Sequence, residues 1–413
     1  MVGNHIFDYL SSTLKDQYLT QKFKPYEDAL AGKKFLKDTL IQLSIYDMNL
    51  LKAADALKIH RNTIQQRFTR IKELLHTDPL SCDKDRMQLR QYALYCNRKK
   101  VLNIGICIQD DSALHNGCRK FSELLFEKTD GMMIGDIRTI LLSANNDLML
   151  ELLKNGSLDL IIIDAHSLET VTEGKVLAFD LPFLFDSAEE ANTILDGEIG
   201  QYIKKWLEPH GLICLAYFST GFRYISTRSR FITCPQDLAA LKIRIMHKPI
   251  LEAYFKSMGA EPVMASYADV YSLLQKGVID SQENPYANFL GMKFYDHQKC
   301  ISEIPLSYGV GCFMTSQQFM QQFTPHQQKL ITQAAEEACK WHRQFLIQFN
   351  DKSRDTLVHQ YGVQIYPMEK QPLRAWRASA RPLYKAYQDQ KTLNRIMEAK
   401  KKYHAQGSLP LSI

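Results

Sequence analysis

Residues 241–246 read Leu-Lys-Ile-Arg-Ile-Met, and this stretch narrows the possible folds more than any other in the chain. Leu241, Ile243 and Ile245 alternate with Lys242, Arg244 and Met246, the two-residue period of a strand with unlike faces. A guanidinium stays charged at physiological pH, so Arg244 on a buried strand needs a carboxylate or another planar anion, supplied by the protein or by a ligand. Residues 268–276 then read as a helix closed by Gly277, and Val278-Ile279 leads into Gln282-Glu283-Asn284-Pro285. The unit is expected to be strand, helix, strand and a polar turn that faces a ligand.

Size sets the frame around this unit. A chain of 413 residues exceeds the length at which single cores stop growing, so two or three domains are expected. The longest apolar runs, residues 158–163 and 181–185, fall far short of a membrane span. Residues 1–23 carry Asp8 and Asp16 among their apolar positions and lack the basic start, apolar core and small-residue cleavage site of an export signal. The expectation is a mature chain starting near Met1, in the cytoplasm, with no membrane partner. Nine cysteines without a Cys-x-x-Cys pair or a matching histidine cluster fit reduced thiols and no metal.

Charge divides the chain unevenly. Residues 1–100 hold 18 Lys and Arg against 11 Asp and Glu, net +7, whereas the whole chain is +6 and the remainder therefore −1. A basic head on a near-neutral body points to nucleic-acid binding in front of a second task.

The head contains two helical patterns in close succession. Leu50, Ala53, Ala54 and Leu57 form one apolar face, with Asn49 placed to cap it. After Lys58-Ile59-His60, the residues Ile64, Phe68, Ile71 and Leu75 make a narrow apolar stripe. The helical period turns Asn62, Gln65, Gln66, Thr69 and Arg70 away from it, and Arg61 and Thr63 open the same helix. Such side chains suit phosphates and base edges in a DNA groove. This is a helix-turn-helix pattern with residues 61–75 as recognition helix. Leu50-x-x-Ala53-Ala54-x-x-Leu57-x-Ile59-His60-Arg61-Asn62-Thr63-Ile64-x-x-Arg67-x-x-Arg70-Ile71-x-x-Leu74-Leu75 closely resembles the C-terminal helix-turn-helix of PucR/CdaR-type regulators. Flanking helices near residues 7–43 and 85–94 extend the resemblance to about residues 6–97. Gln65-Gln66 falls where such proteins vary, so the sequence of the DNA site does not carry over. Helix-turn-helix proteins commonly bind two half-sites as dimers, and a homodimer on double-stranded DNA is expected.

Beyond a short linker, residues 98–100, strand and helix signals alternate: strands at 101–106 and 158–163, helices at 114–126 and 148–153. They point to an α/β architecture with a mostly parallel sheet and a ligand site beyond the strand ends. Four segments then occur in one order: Phe179-Asp180-Leu181-Pro182-Phe183-Leu184-Phe185, Gly221-Phe222-Arg223, Leu241-Lys242-Ile243-Arg244-Ile245 and Val278-Ile279-Asp280-Ser281-Gln282-Glu283-Asn284-Pro285. The series resembles the DctP-type solute-binding proteins of TRAP transporters over about residues 101–388. The resemblance implies two α/β lobes on a hinge, closing over a small organic acid. It also implies roles: Arg244 as the main partner of the ligand carboxylate, Arg223 and Asn284 assisting, and Tyr267 as an aromatic wall. Gln109, with Asp110 and Asp111, and Asp164, with His166, are placed to reach the far end of the ligand.

Thr324-Pro325-His326-Gln327 is a capping-box start for a long helix carrying Leu330, Ala334, Ala338, Trp341 and Phe345. Residues 391–413 read as a basic tail without a function, its Lys400–Lys402 run solvated. No Gly-x-Ser-x-Gly, His-Glu-x-x-His or phosphate-loop motif occurs, His297-x-x-Cys300 lacks a second ligand pair, and no catalytic residue, cofactor or metal is assigned.

The expected architecture is thus an α-helical helix-turn-helix domain (residues 1–97) followed by an α/β two-lobed, periplasmic-binding-protein-like domain with a hinge (residues 101–390). The expected function is a ligand-responsive, DNA-binding transcriptional regulator that senses an organic acid and is not an enzyme. The alternative is a solute-binding protein that delivers the acid to a TRAP permease.

Overall fold

The structure is a computed structural model and describes residues 12–46, 48–96, 100–108, 110–129, 132–140, 146–370 and 372–406. The chain divides into two compact units, one reaching to Val101 and including Thr129–Ile134, the other comprising Leu102–Lys128 and the residues from Gly135 onward.

The first unit is built from α1 Ser12–Ala29, α2 Lys34–Ile45, α3 Leu50–Ala56, α4 Arg61–Leu75 and α5 Asp83–Cys96. Asn49 caps α3 by accepting from the Lys52 amide at 3.1 Å, as its residue type favours. The His60 imidazole does the same for α4, accepting from the Asn62 amide at 3.2 Å, and His76 ends that helix in the left-handed conformation. The stripe Ile64, Phe68, Ile71 and Leu75 is buried, and its core partners include Leu36, Leu40, Leu43, Ala53, Ala54, Leu89 and Tyr92. Full burial of Phe68 alone contributes about 1.5–3 kcal/mol. The expected flanking helix at 85–94 is α5; the part of the preceding expectation at residues 7–11 lies outside the described residues.

In the second unit a nine-stranded sheet runs in the order β2-β1-β3-β8-β4-β7-β5-β6, with β9 beside β8. The strands are β1 Lys100–Ile106, β2 Met133–Thr139, β3 Leu160–Asp164, β4 Leu212–Thr227, β5 Lys242–Ile245, β6 Glu261–Met264, β7 Ser281–Asn284, β8 Cys300–Ser316 and β9 Gln364–Tyr366. The expectation of a mostly parallel sheet is corrected. The sheet is mixed: parallel pairing joins β1 to β3, β5 to β6 and β7, and β8 to β9, whereas β8 runs antiparallel to β3 and β4, and β4 to β7. The longest strands, β4 and β8, each pass through both halves of the unit. Leu212, Cys214 and Tyr217 of β4 and Tyr308, Val310, Cys312 and Met314 of β8 belong to one core with Ile161 and Ile163. Ile225, Ile304 and Leu306 belong to another, with Ile243, Ile245 and Trp376. Two strands shared by two cores are the hinge of a two-lobed protein.

Helix α6, Ala113–Lys128, matches the expected helix at 114–126, and α7, Pro325–His359, the long one. Thr324 and Gln327 form the capping box, the Thr324 amide donating to Gln327 Oε1 at 3.0 Å and the Gln327 amide to Thr324 Oγ1 at 3.3 Å. Two further expectations change. The polar segment Gln282-Glu283-Asn284 is strand β7 rather than a turn, and Pro285 starts a short helix. Polar side chains of this buried strand bond one another and their neighbours, Gln282 Nε2 donating to Ser226 Oγ at 2.7 Å and to Gln298 Oε1 at 3.2 Å, while Ser281 Oγ and Glu283 Oε1 are buried without a hydrogen-bond partner among the described residues. The basic tail is largely helix, α8 Leu373–Ala386 being followed by α9 Gln390–Gln406. Leu393 and Ile396 of α9 join the first core, and Lys400 is buried, bonded to the Leu184 carbonyl and paired with Asp186 at 3.1 Å and Glu190 at 3.4 Å. Its charge has carboxylate partners, so it does not need water.

Candidate functional site: a buried guanidinium beside two neutralised cations

Strand β5 carries Arg244 between Ile243 and Ile245, which point into apolar core. The opposite face delivers the guanidinium to the interior, where the residue is 1% exposed. Its Nε and Nη2 both donate to the carbonyl of Ala265, at 3.0 and 2.7 Å. Nη1 is buried and has no hydrogen-bond partner among the described residues. Arg244 also forms no ion pair among them. Burial and the neighbouring Arg223 charge pull its pKa down to about 10, which leaves it protonated at neutral pH. A buried cation whose only acceptor is a carbonyl is electrostatically incomplete, and a ligand carboxylate would complete it.

Arg223 lies nearby but has a carboxylate partner, Glu283. It is on β4, beyond a bulge at which Gly221 adopts φ +85°. That conformation favours glycine, and the irregularity re-aims the strand just before Arg223. Arg223 Nε donates to the carboxylate of Glu283, and its Nη2 to the Glu283 carbonyl at 2.6 Å and to Asn284 Oδ1 at 2.8 Å. Burial works against this charge, but Glu283 outweighs it and holds the pKa above the usual guanidinium value. Asn284 in turn donates through Nδ2 to Gln282 Oε1. Arg223 and Asn284, expected beside Arg244, are thus bonded directly to each other, with Glu283 pairing the same guanidinium. Tyr267 is half-buried, its hydroxyl donating to the Asn288 carbonyl at 3.4 Å, and it is close enough to act electrostatically on both arginines.

Asp164, at the end of β3, accepts from the His166 amide at 3.0 Å. Its carboxylate faces Lys248, which follows β5; Nζ lies 3.3 Å from Asp164 Oδ1 and 2.7 Å from Asp180 Oδ1. Asp180 also bonds His166 Nδ1 at 2.7 Å. Burial opposes the charge on Lys248, but Asp164 and Asp180 together hold its pKa above the ordinary amine value. Asp164 acts electrostatically on Arg223, as does Lys248, so this network and the arginines share one region. Asp110 and Asp111 are exposed and pair locally, with Thr139 and Arg119. Gln109 lies outside the described residues. Lys248, Asp180 and Glu283 were not singled out for a role from sequence; the only signal was that Asp180 and Glu283 sit inside the ordered motifs.

One set of side chains could in principle gather a metal: Asp186, Glu190 and His404 approach within 4.8 Å of one another. Lys400 and Arg377, the latter 2.5 Å from Asp186, already supply the positive charge there. The set reads as an ion-pair cluster that fastens α9.

In the helical unit, Arg61, Asn62, Gln65, Gln66, Thr69 and Arg70 are exposed on α4 and Thr63 is half-exposed. Arg70 pairs with Glu73 at 2.9 Å on the surface. Arg67 turns inward instead, bonding Thr39 Oγ1 at 3.3 Å and lying over the Phe35 ring. The face of α4 away from the core is therefore polar, as an element that enters a DNA groove requires.

Comparison with known proteins agrees with both halves. Residues 36–91 match the PucR C-terminal helix-turn-helix domain, and residues 104–391 match the bacterial extracellular solute-binding proteins, family 7. An uncharacterised protein of Haemophilus influenzae is 30% identical over 251 residues, covering 61% of this chain and 76% of that one. The C4-dicarboxylate-binding protein DctB of Bacillus subtilis is 28% identical over 280 residues, covering 65% and 77%. Among solved structures, a TRAP periplasmic solute-binding protein of Ochrobactrum anthropi, with its C-terminus bound in the ligand-binding pocket, superposes with a TM-score of 0.68 at 28% identity, covering 76% of this chain and 98% of that one. The sugar-acid-binding protein DctPAm of Advenella mimigardefordensis, in complex with galactonate, gives 0.68 at 25% identity, covering 73% and 98%.

Proposed function

The chain belongs to the bacterial extracellular solute-binding proteins, family 7, and on that premise we propose that it is a DNA-binding transcriptional regulator whose solute-binding domain senses a small organic acid. One observation carries the reading: a buried guanidinium, Arg244, with an unpartnered donor shares a chain with a helix-turn-helix whose recognition face is exposed. The acid's carboxylate binds Arg244, Tyr267 walls the site, and Arg223 with Asn284 and Glu283 holds the hinge side in shape. Asp164 contacts the far end.

Binding shifts the balance between open and closed lobes, only as far as the acid's affinities for the two states differ. In a homodimer acting in the cytoplasm, that shift alters the spacing of the two α4 helices on double-stranded DNA. Arg61, Asn62, Thr63, Gln65, Gln66, Thr69 and Arg70 make the DNA contacts. The chain acts by binding rather than by catalysis.

A second reading has support in the names of relatives. DctB of B. subtilis and the periplasmic protein YiaO of Escherichia coli, the latter 28% identical over 264 residues, are called binding proteins for C4-dicarboxylates and for 2,3-diketo-L-gulonate. On that reading the chain hands an organic acid to a membrane permease. Gel retardation with DNA flanking its own gene, together with cell fractionation, separates the two. Retarded DNA and a cytoplasmic protein support the regulator; a protein found outside the cytoplasm that leaves DNA unretarded supports the carrier.

A further inference from the structure

A second carboxylate on the ligand would need a second cation, and the two available are already neutralised. Arg223 is held by Glu283, and both residues are buried, at 6% and 0% exposed. Lys248 Nζ faces two carboxylates, Asp180 at 2.7 Å and Asp164 at 3.3 Å, so its charge is already engaged. Of these three cations, Arg244 alone has no carboxylate partner among the described residues. Asp164 is the most accessible member of the network, its side chain 22% accessible against 6% for Asp180 and 7% for Lys248. An accessible carboxylate repels a second ligand carboxylate and accepts hydrogen bonds from hydroxyls.

We propose that the acid taken by this site is a hydroxylated monocarboxylate rather than a four-carbon dicarboxylate, with Asp164 and its partner Lys248 setting that choice. The proposal rests on the reading of Arg244 as the carboxylate anchor. One carboxylate meets Arg244, and the hydroxylated remainder extends toward Asp164, which accepts a hydrogen bond from a ligand hydroxyl. Lys248 is a positioning residue: held by Asp180, it fixes the Asp164 carboxylate in place. Specificity then comes from a repulsive element as much as an attractive one.

The test is calorimetric titration of the full chain with gluconate, galactonate and threonate and with succinate, fumarate and L-malate, on the parent protein and on Asp164→Asn. Asparagine also accepts from an amide at a cap, so the turn at His166 is retained. The expected result is that the tightest hydroxylated monocarboxylate binds the parent at least tenfold more tightly than any dicarboxylate, and that Asp164→Asn narrows the gap at least threefold by strengthening dicarboxylate binding. A dicarboxylate that binds the parent as tightly, or a variant with an unchanged ratio, overturns the proposal while leaving Arg244 as anchor. Failure of every acid in both series to bind overturns the proposal and the sensor reading together.

Discussion

Arg244 commits two donors to a single carbonyl of Ala265, at 3.0 and 2.7 Å, and keeps its third nitrogen, Nη1, buried without a protein acceptor among the described residues. Buried polar groups are nearly always paired; Arg343, whose Nε is likewise orphaned, is held by Asp196, whereas Arg244 lacks a carboxylate partner among the described residues, and a ligand carboxylate would supply it. A ligand at a hundredfold excess over Kd adds about 2.7 kcal/mol to the stability of the domain that binds it. A melting shift of about 2–4 °C per kcal/mol is expected for a domain of this size class, and Arg244→Ala should abolish the shift. A variant that still shifts with the same acid would contradict the anchor role.

Glu283 is expected to matter for stability more than for recognition. Removing it leaves Arg223 buried, uncompensated and next to Arg244. Glu283→Ala should cost about 3–5 kcal/mol in urea unfolding of the solute-binding domain, as broken buried pairs do. The double change Arg223→Met, Glu283→Leu should recover most of that loss. A loss below about 1 kcal/mol for the single variant would show that the pair is not the hinge-side brace described here.

The Asp180–His166–Lys248 network predicts a pH signature. Burial opposes the charge on His166 most strongly, but the hydrogen bond to Asp180 together with the Asp180 and Asp164 charges raises the imidazole pKa above 6.5. Burial likewise opposes the Asp180 charge, but Lys248 and His166 together outweigh it and hold the carboxyl below 3.8. A raised histidine stabilises fully below 6.5 and loses its contribution as pH rises through its folded value; a depressed carboxyl loses its own as pH falls below 3.8 through its folded value. Melting temperature should therefore decline as pH rises above 6.5, more steeply in the parent than in His166→Asn. Parallel slopes would remove His166 from the network.

On the DNA side, Gln66→Ala and Arg70→Ala should each weaken specific binding by about 1–3 kcal/mol, the usual worth of a side chain that reads a base edge. Both residues are exposed, and the Arg70–Glu73 pair lies at the surface, where such pairs contribute about 1 kcal/mol or less, so melting should barely change. A variant that melts early would mean that α4 depends on these residues for folding.

Helix α9 is expected to be structural. Ile396 is fully buried in the core that also holds Ile161, Ile163 and Tyr308. Ile396→Ala should cost about 2–5 kcal/mol in chemical denaturation, and an unchanged unfolding curve would return the segment to the status of a tail.

What the sequence made legible was local. The stripe of Ile64, Phe68, Ile71 and Leu75 repeats within one helix, and the alternation around Arg244 within one strand, so each face could be read from neighbours in the chain. Lys248 could not be read that way, because its partners Asp180 and Asp164 lie 68 and 84 residues away. Lys400, 216 residues from the Leu184 carbonyl that it bonds, looked like one of three solvated lysines for the same reason. Gln282-Glu283-Asn284 read as a turn because polar residues are rare in buried strands. Only the side chains of Ser226, Gln298 and Arg223, brought in by folding, make that strand tenable.

The central claim is that occupancy at Arg244 is reported to DNA, and fluorescence anisotropy on DNA flanking the gene tests it directly. The probe is whichever acid gives the largest melting shift. That acid should change the affinity of the parent for DNA by about 5–150-fold, the usual range of coupling between two sites. Arg244→Ala should bind the same DNA with an affinity indifferent to the acid. DNA binding by the parent that is equally indifferent, or no DNA binding with or without the acid, would contradict the account.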